Sequence, residues 1–556
     1  MSESTPRGSF HKQDCLWLLA VAAIVFLITE IPYRYAGQRA PENTSFVGQI
    51  AVADDVNSYF SFIRQAESGH ILFQNNMTHI EHRRVFVNLE WLVLGWIMRF
   101  FELSPPALFK IWRAAGAVTL LAGFGLLAHV TLKHGIPRRT ALIMCAFGGG
   151  FGWMLTGISK LGLIDLSAGL GLQNPAMDLI TALHPFGQIT KNPHFSLPHG
   201  TMLATIALYV VGEQKGDTRW YAGAAVMTVI HGLMRPYDLI SLWTVVPAFI
   251  VVEAALARRM DWPRGVLRAL PLLASAPLLA YYVYLFSVHP VFKFWASQGG
   301  QPSAPIGWHV LSYGLAGVLF VFRLIAIPRR PITASGERFL AAWVIIIFAL
   351  FHSHTVLPFL PYSPQLAIPL ATPMIIVGVS ALPISSAGWP PALRGKALAA
   401  VAAFLVVNAL TSPLYILRAC RDAVSRPHHF IHVDDAEAMA WLSDHAGPTD
   451  VILADYVRGG IISQRVTARV VLGHWALTPH ANALRGRIQR LMSGAMSADE
   501  AREFAAQTRA RYVYISPVTE ELRRRYFDAI PGWTKEFENG QVAIYGVGGE
   551  QPAAEP

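Results

Sequence analysis

The stretch Ala53-Asp54-Asp55-Val56-Asn57-Ser58-Tyr59 begins about twenty residues after the first apolar segment of the chain. Two adjacent carboxylates and a tyrosine therefore stand where a long polar loop leaves that segment. Carboxylates beside a lipid bilayer are costly to desolvate, and they are usually paired or functional. The interpretation of the chain thus depends on whether these acids lie beside a membrane, and on which side of it.

The composition is that of a polytopic membrane protein. Of the 556 residues, 53% are hydrophobic and 14% are charged, whereas soluble proteins carry about 25% charged residues. The net charge of +10 comes mainly from Lys and Arg in short loops between apolar segments, which is the positive-inside pattern rather than a nucleic-acid-binding patch. The three cysteines form no CxxC pair, so neither a zinc-thiolate site nor a disulfide framework is predicted.

Eleven apolar segments predict an all-α polytopic bundle of about 11 transmembrane helices. They are 15–33, 108–131, 139–157, 197–212, 219–234, 238–257, 266–288, 307–327, 338–355, 365–384 and 395–417. A further segment at 85–101 contains Glu90 and Arg99, and loop charge decides its placement. If 85–101 does not cross, the inside loops hold fifteen Lys and Arg residues and the short outside loops hold four. We therefore predict an interfacial helix there, in the first outer loop.

The same loop charges predict the orientation of the chain. The N-terminus is cytoplasmic, and the first span is an uncleaved anchor because no small-residue cleavage site follows it. Asp54, Asp55 and the C-terminal tail then face the extracytoplasmic side of the cell inner (plasma) membrane. A glycine-rich run at 148–152 lies inside a span and follows no strand, so it predicts close packing or a kink rather than a phosphate loop.

The tail differs in composition from the rest of the chain. Residues 1–424 form the predicted transmembrane domain, and residues 425–556 have a soluble composition that predicts a small extracytoplasmic α/β domain. We expect this domain to cover a cavity of the transmembrane domain. Its predicted elements are helices at 437–445, 482–493 and 498–508, strands at 451–454, 469–472 and 512–515, and a closing hairpin around 539–545.

The acid pair has a structural and a functional interpretation. Asp is a good helix N-cap, so Asp54 and Asp55 could simply begin an interfacial helix. Alternatively, one of them is a general base or a metal ligand, because removing a proton from a hydroxyl needs a carboxylate within hydrogen-bond reach. Adjacent acids point in different directions on a helix, so we expect only one to enter a cavity. Tyr59 follows on the same helix as a candidate binding residue.

Polar residues also gather at the mouths of later spans. The turn from His231 to Asp238 contains Arg235, which either pairs with Asp238 or grips an anionic lipid headgroup bidentately; we favour the headgroup. A divalent metal is the one candidate cofactor. The histidine spacing in the second outer loop, however, matches no HExxH or His-triad pattern. The polar residues of that loop are Asp165, Asp178, His184, Lys191, His194 and His199.

Two stretches resemble a known family. The residues from Asp54 to Gln65, followed by Glu67-Ser68-Gly69-His70-Ile71-Leu72, resemble the first outer loop of GT-C-type membrane glycosyltransferases. Those enzymes carry Asp-x-x-x-Tyr or a close variant in that loop, followed by interfacial helices, many spans and often a soluble outer domain. The tail from Ala454-Asp455-Tyr456 to Gly473-His474-Trp475 also resembles the tails of uncharacterised bacterial members.

The resemblance assigns roles to single residues. It maps the loop-one acid, four residues before the tyrosine, onto Asp55. It leaves Asp165, Asp178 and Glu81 as alternatives for a second acid. Some members carry an arginine near the mouth of a late span, where this chain has Ser363-Pro364-Gln365, so that role does not transfer.

The resemblance implies inverting transfer of a hexosyl or pentosyl unit in the cell envelope, with Asp55 as general base. The donor is a polyprenyl-phosphate sugar, because no nucleotide-sugar pool exists outside the cytoplasm, and the acceptor is a glycan, a lipid or a protein. Arg235, with Lys191 or His194, would stabilise the departing phosphate. A transporter or flippase of lipid-linked glycans and an assembly protein are the alternatives. Spans nearly free of mid-membrane charge favour the enzyme over the transporter.

Overall fold

The computed structural model describes residues 12–133, 135–163, 183–298, 306–353, 363–382 and 391–547. Within these ranges the chain is mostly helical, with a small β-sheet in its C-terminal part. The chain divides into two units. Unit 1 consists of Met1–Pro32, Lys110–Tyr282 and Gly299–Arg421, and unit 2 consists of Tyr33–Phe109, Val283–Gln298 and Asp422–Pro556.

The apolar segments form helices because their long runs of Leu, Ala, Val and Phe can bury side chains on every face in a bundle or in lipid. A 3₁₀ turn lies at Ser363–Ala367. The α-helices before the tail are Lys12–Thr29, Ile31–Gln38, Ala53–Glu67, Leu89–Phe101, Pro105–Thr131, Ile136–Phe147, Gly152–Lys160, Pro185–Lys191, Pro193–Lys215, Thr218–Met234, Tyr237–Ala257, Trp262–Val288, Pro290–Ser297, Ile306–Ile325, Ser335–Phe351, Ala371–Ser380, Pro391–Ala409 and Thr411–Ser425.

The helices make this a multi-pass membrane protein. Among the described residues, seven are long and apolar enough to cross a bilayer, or up to eight if one bent pair counts as a span. Thr218–Met234 and Ser335–Phe351 have 17 residues each, about 26 Å of helix against a hydrocarbon core of about 30 Å. The count of eleven therefore stays a prediction. Leu89–Phe101 has 13 residues, about 20 Å, which is too short to span the core.

Small residues let two long helices of unit 1 approach closely. A Cβ added at Gly200, in helix Pro193–Lys215, would lie 2.3 Å from the Thr119 carbonyl oxygen. A Cβ at Gly123, in helix Pro105–Thr131, would lie 2.2 Å from the Gly200 carbonyl oxygen. The two backbones therefore touch, as small residues permit between membrane helices.

The glycine-rich run forms a bend in unit 1. Helices Ile136–Phe147 and Gly152–Lys160 meet across it at an angle of 48°. A Cβ added at Gly149 would lie 2.4 Å from the Thr411 Cβ. The predicted kink and close packing are both confirmed, and the close packing depends on the missing side chain of Gly149.

The tail folds around a sheet of five described strands. In order across the sheet they are Arg469–Val470, Val451–Leu453, Tyr512–Ile515, Ala543–Val547 and Trp533–Glu538. The first three run parallel, and the last two form an antiparallel hairpin. The α-helices of the tail are Val433–His445, Tyr456–Arg465, Ala481–Met492, Ala498–Gln507 and Glu520–Arg525.

The segment of about residues 34–107, here called loop one, contributes backbone pairing to unit 2. Thr44–Phe46 pairs antiparallel with Phe430–His432. The Val470 N–H donates to the Asn76 carbonyl oxygen at 2.9 Å. Thr78 and Leu472 form an isolated antiparallel β-bridge. Loop one thus covers the Arg469–Val470 edge of the sheet, whose backbone groups would otherwise lack partners in the sheet.

The predicted tail elements are confirmed to within a few residues. The observed helix Val433–His445 begins four residues earlier than expected, because the His432 side chain accepts the Asp434 N–H and caps it. Strand Arg469–Val470 is shorter than expected, since the chain turns to bridge loop one at Leu472. The predicted domain boundary between residues 424 and 425 stays a prediction.

Candidate active site

The acid pair lies in the first turn of helix Ala53–Glu67, here called the acid helix. The helix is preceded by Val52 with φ +46° and ψ 40°, a left-handed conformation that is strained for a β-branched residue. The N-cap is Val52 rather than an aspartate, and among the described residues no side chain caps the helix. An aspartate therefore does not cap the helix, although both acids lie in its first turn. Strain of this kind concentrates at functional sites.

Asp55 contacts a histidine of the tail. Its Oδ1 lies 3.2 Å from His474 Nε2. The Asp55 side chain is 43% exposed, whereas that of His474 is 4% exposed. No partner of the second Asp55 oxygen is found within the described ranges. One oxygen is therefore held by a buried ring and the other faces solvent.

The protonation of His474 follows from its hydrogen bonds. Its Nδ1 accepts the backbone N–H of Ala476 at 3.0 Å and that of Leu477 at 3.3 Å. Backbone amides can only donate, so Nδ1 carries no proton and the neutral ring carries its proton on Nε2. His474 therefore donates a hydrogen bond to Asp55.

The loop that carries His474 is fixed against loop one. The Thr478 hydroxyl donates to the Met77 carbonyl oxygen and accepts the His474 N–H at 3.3 Å. A Cβ added at Gly473 would lie 2.3 Å from Met77 Sδ. A side chain at residue 473 would have to displace Met77, so the loop that carries His474 lies directly against loop one.

Asp54 is held by a different residue of the tail. The Tyr456 hydroxyl donates to Asp54 Oδ2 at 2.6 Å. Burial, followed by the hydrogen bond to the Asp54 carboxylate, raises the pKa of Tyr456 well above its usual range. The phenol therefore keeps its proton at physiological pH. The Arg485 guanidinium lies 4.1 Å from the centre of the Tyr456 ring.

Helix Tyr456–Arg465 packs directly on the acid helix. Asp455 caps it by accepting the N–H groups of Val457 and Arg458. Gly460 follows, and a Cβ there would lie 3.1 Å from Asn57 Nδ2 of the acid helix. This contact places Tyr456 beside the first turn of the acid helix.

Tyr59 and Glu81 lie elsewhere in unit 2. Tyr59 is buried and stacks on Trp91, with ring centres 5.5 Å apart. Glu81 is exposed and pairs with Arg509 at 2.8 Å. Their predicted roles in substrate binding stay predictions.

Arg235 belongs to a buried cluster of unit 1. Its Nε lies 3.5 Å from Asp238 Oδ2, and His231 Nε2 lies 3.1 Å from the same oxygen. Its Nη2 donates to Gln365 Oε1 at 3.0 Å, and its guanidinium covers the Phe195 ring at 4.8 Å. The pairing with Asp238 is present in the structure, and the headgroup contact stays a prediction.

The remaining predicted residues lie in unit 1 or outside the described ranges. Lys191 Nζ lies 4.2 Å from the centre of the Tyr415 ring. His194 is buried, with its ring centre 6.5 Å from that of Trp112. Asp165 and Asp178 fall outside the described residues.

The divalent metal stays a prediction, because Asp165 and Asp178 lie outside the described residues. Within the described ranges, no group of three or more His, Cys, Asp and Glu side chains could hold an ion. Asp54 and Asp55 supply two carboxylates, and each already accepts a hydrogen bond from the tail. Divalent cations prefer six or more oxygen ligands or a closed set of nitrogen and sulfur ligands. No step is therefore assigned to a metal.

His474 and Tyr456 are the site residues that sequence reasoning missed. Both stand in the stretches that resemble family tails, but neither received a role. Their partners are about 400 residues away in the chain, so no local spacing connects them. The one available signal was a histidine between Gly473 and Trp475, directly after a predicted strand.

No protein-family model and no curated protein sequence matches the chain. Several solved structures, however, match the chain in their fold. The archaeal oligosaccharyltransferase AglB from Archaeoglobus fulgidus, in complex with an inhibitory peptide and a dolichol-phosphate, superposes with a TM-score of 0.53 and 12% identity. The match covers 98% of this chain and 76% of AglB.

Two further structures match over nearly the whole chain. ArnT from Cupriavidus metallidurans, bound to undecaprenyl phosphate, matches with a TM-score of 0.52 and 12% identity, over 96% of this chain and 98% of ArnT. The arabinofuranosyltransferase AftD from Mycobacteria matches with a TM-score of 0.54 and 15% identity, over 98% of this chain and 42% of AftD. These likenesses show that the chain shares the fold of these three structures, which is consistent with the predicted GT-C fold.

Proposed function

We propose that this protein transfers a sugar from a polyprenyl-phosphate donor to an acceptor hydroxyl on the extracytoplasmic face of the membrane. Asp55 is the general base, and the anomeric centre is inverted. The fold supports the reaction class, since the matched structures are an oligosaccharyltransferase, ArnT and an arabinofuranosyltransferase. Two of them contain a polyprenyl-type phosphate lipid.

The half-exposed carboxylate of Asp55 is the observation that carries the proposal. One of its oxygens accepts the His474 N–H, and the other is free of protein partners in the described part of the chain. A general base needs an unprotonated oxygen within hydrogen-bond reach of the hydroxyl that it activates. Asp55 offers that oxygen at the strained start of a helix.

The Asp55 carboxylate, the acceptor hydroxyl and the donor together account for every bond and proton in the transfer. The Asp55 carboxylate takes the proton of the acceptor hydroxyl, and the acceptor oxygen forms the new bond to the anomeric carbon. The bond between that carbon and the phosphate oxygen breaks, and polyprenyl phosphate leaves with the electron pair. Displacement from the opposite face inverts the centre. A positioned base contributes about 10²- to 10⁴-fold to such a step.

Trp475 offers a surface for the acceptor. Its side chain is 43% exposed, and its ring stacks on His474 with centres 5.8 Å apart and an angle of 23°. His474 in turn contacts Asp55. An exposed indole combines a large apolar face with a polar N–H. We assign this face to the acceptor group whose hydroxyl is activated.

The departing phosphate needs cations or hydrogen-bond donors. Arg235, with Lys191 or His194, remains our candidate for this role. Their described contacts are within unit 1, where Arg235 already pairs with Asp238. A phosphate bound by Arg235 would have to compete with that carboxylate.

The direct test is sugar transfer itself. Membranes that contain the protein are incubated with undecaprenyl phosphate carrying radiolabelled glucose, galactose, mannose or arabinose, each in a separate assay. The glycosyl phosphate of a donor is cleaved by mild acid, whereas a new glycosidic bond survives it. We expect acid-stable label with at least one donor. Label that moves across the membrane but stays acid-labile with every donor would contradict transfer and indicate a flippase.

Sidedness is tested by cysteine labelling in intact cells with a membrane-impermeant maleimide. Ser493 is exposed in the tail and Arg259 is exposed between helices Tyr237–Ala257 and Trp262–Val288. We expect Ser493→Cys to react and Arg259→Cys to react only after permeabilisation, above the background of the three native cysteines. The reverse pattern would place Asp55 on the cytoplasmic side.

A further inference from the structure

We propose that His474 is a positioning residue for Asp55, so that the tail completes the base of the active site rather than merely covering it. The inference rests on the proposed function, because it assigns the partner of the proposed base. The hydrogen bond from His474 Nε2 to Asp55 Oδ1 at 3.2 Å is the contact that carries it.

His474 is not itself the base. Its Nδ1 lone pair is occupied by the N–H groups of Ala476 and Leu477, and its Nε2 carries the proton given to Asp55. Protonating Nδ1 would direct its N–H against two backbone donors and break both bonds. The ring therefore donates one hydrogen bond and cannot accept the proton of a substrate. The two members of the pair have separate roles: His474 orients and Asp55 reacts.

The orientation matters because no other partner of the Asp55 side chain is found among the described residues. That side chain is 43% exposed and lies in the first helical turn, so packing alone does not select its rotamer. The His474 ring is buried, and its loop is tied to the Met77 carbonyl oxygen through Thr478. One carboxylate oxygen is thus fixed to a rigid point, which leaves the other oxygen at a defined place for the acceptor hydroxyl. Such preorganisation keeps reacting atoms in productive geometry.

Tyr456 performs the matching task for Asp54. Its hydroxyl donates to Asp54 Oδ2 at 2.6 Å, so the neighbouring carboxylate is held by the tail as well. Each acid of the pair therefore accepts a hydrogen bond from a residue of the tail, Asp54 from a phenol and Asp55 from an imidazole. This arrangement explains how two adjacent carboxylates can act differently.

The test uses a matched pair of substitutions in the full-length protein. His474→Gln keeps an N–H donor at about the reach of Nε2, and His474→Met fills similar volume without a donor. In the transfer assay described above, with the donor that the wild type accepts, we expect His474→Met to lower kcat by about ten- to a hundredfold. We expect KM for the donor to change by less than about threefold. His474→Gln should retain at least a third of the wild-type kcat.

The contrast between the two variants is a readout that a merely structural role would not produce. Loss of the donor in His474→Met should lower kcat without a matching rise in KM, and the N–H donor of His474→Gln should restore most of kcat. His445→Met is the control, because His445 is exposed in the same tail and stacks on Trp441; its activity should equal that of the wild type.

Several outcomes would overturn the inference. Equal kcat in His474→Met and the wild type would show that the hydrogen bond does no positioning, and equal losses in the Gln and Met variants would show a structural role. If His474→Met does not fold, His474→Asn replaces it, since its shorter amide cannot reach Asp55, and the same loss is required. A wild type without transfer would instead overturn the proposed function.

Discussion

Asp238 and Asp55 each lie beside a histidine, and their surroundings differ. Asp238 in unit 1 is almost fully buried and lies beside both His231 and Arg235. Asp55 in unit 2 is 43% exposed and accepts one N–H from His474. A buried carboxylate whose charge is compensated by a neighbouring guanidinium is available to little else. A carboxylate fixed at one oxygen and open at the other can do chemistry, so partial exposure separates the candidate base from the structural acid.

The largest expected effect on stability is at the buried aspartate. Asp238→Ala leaves the Arg235 charge buried without its carboxylate and should lower the free energy of unfolding by about 3–5 kcal/mol. The measurement is thermal or chemical unfolding in detergent. The double variant Arg235→Met with Asp238→Leu should lose less, because it removes both charges. A stable Asp238→Ala protein with a raised KM for the donor would instead place this cluster in substrate binding.

Lowering the pH should destabilise the part of loop one that supports His474, because His82 in that loop becomes protonated. His82 Nε2 accepts the Asn75 N–H at 2.9 Å, and its Nδ1 donates to the Ile80 carbonyl oxygen at 2.8 Å. Burial is the main cause that lowers the pKa of His82 to about 4. In the unfolded chain His82 takes up a proton near its ordinary pKa of about 6.5, whereas in the folded chain it does so only near pH 4. The stabilisation of the fold by the neutral ring is therefore complete above about pH 6.5. It is lost as the pH falls toward 4, at a cost of up to about 3 kcal/mol.

Hydrogen exchange of residues 75–79 measures this loss. We expect protection to fall between pH 6.5 and 4.5 in the wild type. His82→Asn keeps a donor for the Ile80 carbonyl oxygen but cannot titrate, so the same pH interval should change its protection little. Identical pH dependence in both proteins would show that His82 does not control the loop.

A smaller effect is expected at Asp54. Tyr456→Phe removes the hydroxyl that donates to Asp54 and should lower transfer about tenfold, because a hydrogen bond to a charged group is lost. Asp54→Asn should give a similar loss, and the double variant should lose little more than either single one. Additive losses would show that the two residues act separately.

The smallest effect is expected at Glu81. Its ion pair with Arg509 is exposed on both sides, and exposed pairs contribute less than about 1 kcal/mol. Glu81→Gln should therefore leave both transfer and unfolding close to the wild type. A loss of transfer above tenfold would make Glu81 the second acid that the resemblance left open.

Local patterns were sufficient to predict most of the tail. Alternating or continuous apolar runs at Val451–Leu453 and Tyr512–Ile515 predicted strands because burial is set residue by residue. The acid pair stood out because carboxylates are rare beside apolar segments. The charge bias of the loops predicted that 85–101 does not cross, and the observed helix there is too short to span.

Pairing across long sequence distance could not be predicted. The contacts from His474 to Asp55 and from Tyr456 to Asp54 join residues more than 400 positions apart, and no spacing within either segment marks them. The left-handed Val52 was missed for a related reason: valine avoids this conformation, so only the surrounding structure imposes it. The span count stayed open because several helices are shorter than their apolar segments.

The most direct test of the account is the transfer rate of Asp55→Asn compared with the wild type at equal protein level. Asparagine keeps the size of the side chain and can accept the His474 N–H, but it cannot take up the acceptor proton. We predict a loss of at least about a hundredfold in kcat, as expected for removal of a general base, with unchanged unfolding. Transfer by Asp55→Asn at the wild-type rate would contradict the assignment of Asp55 as the base.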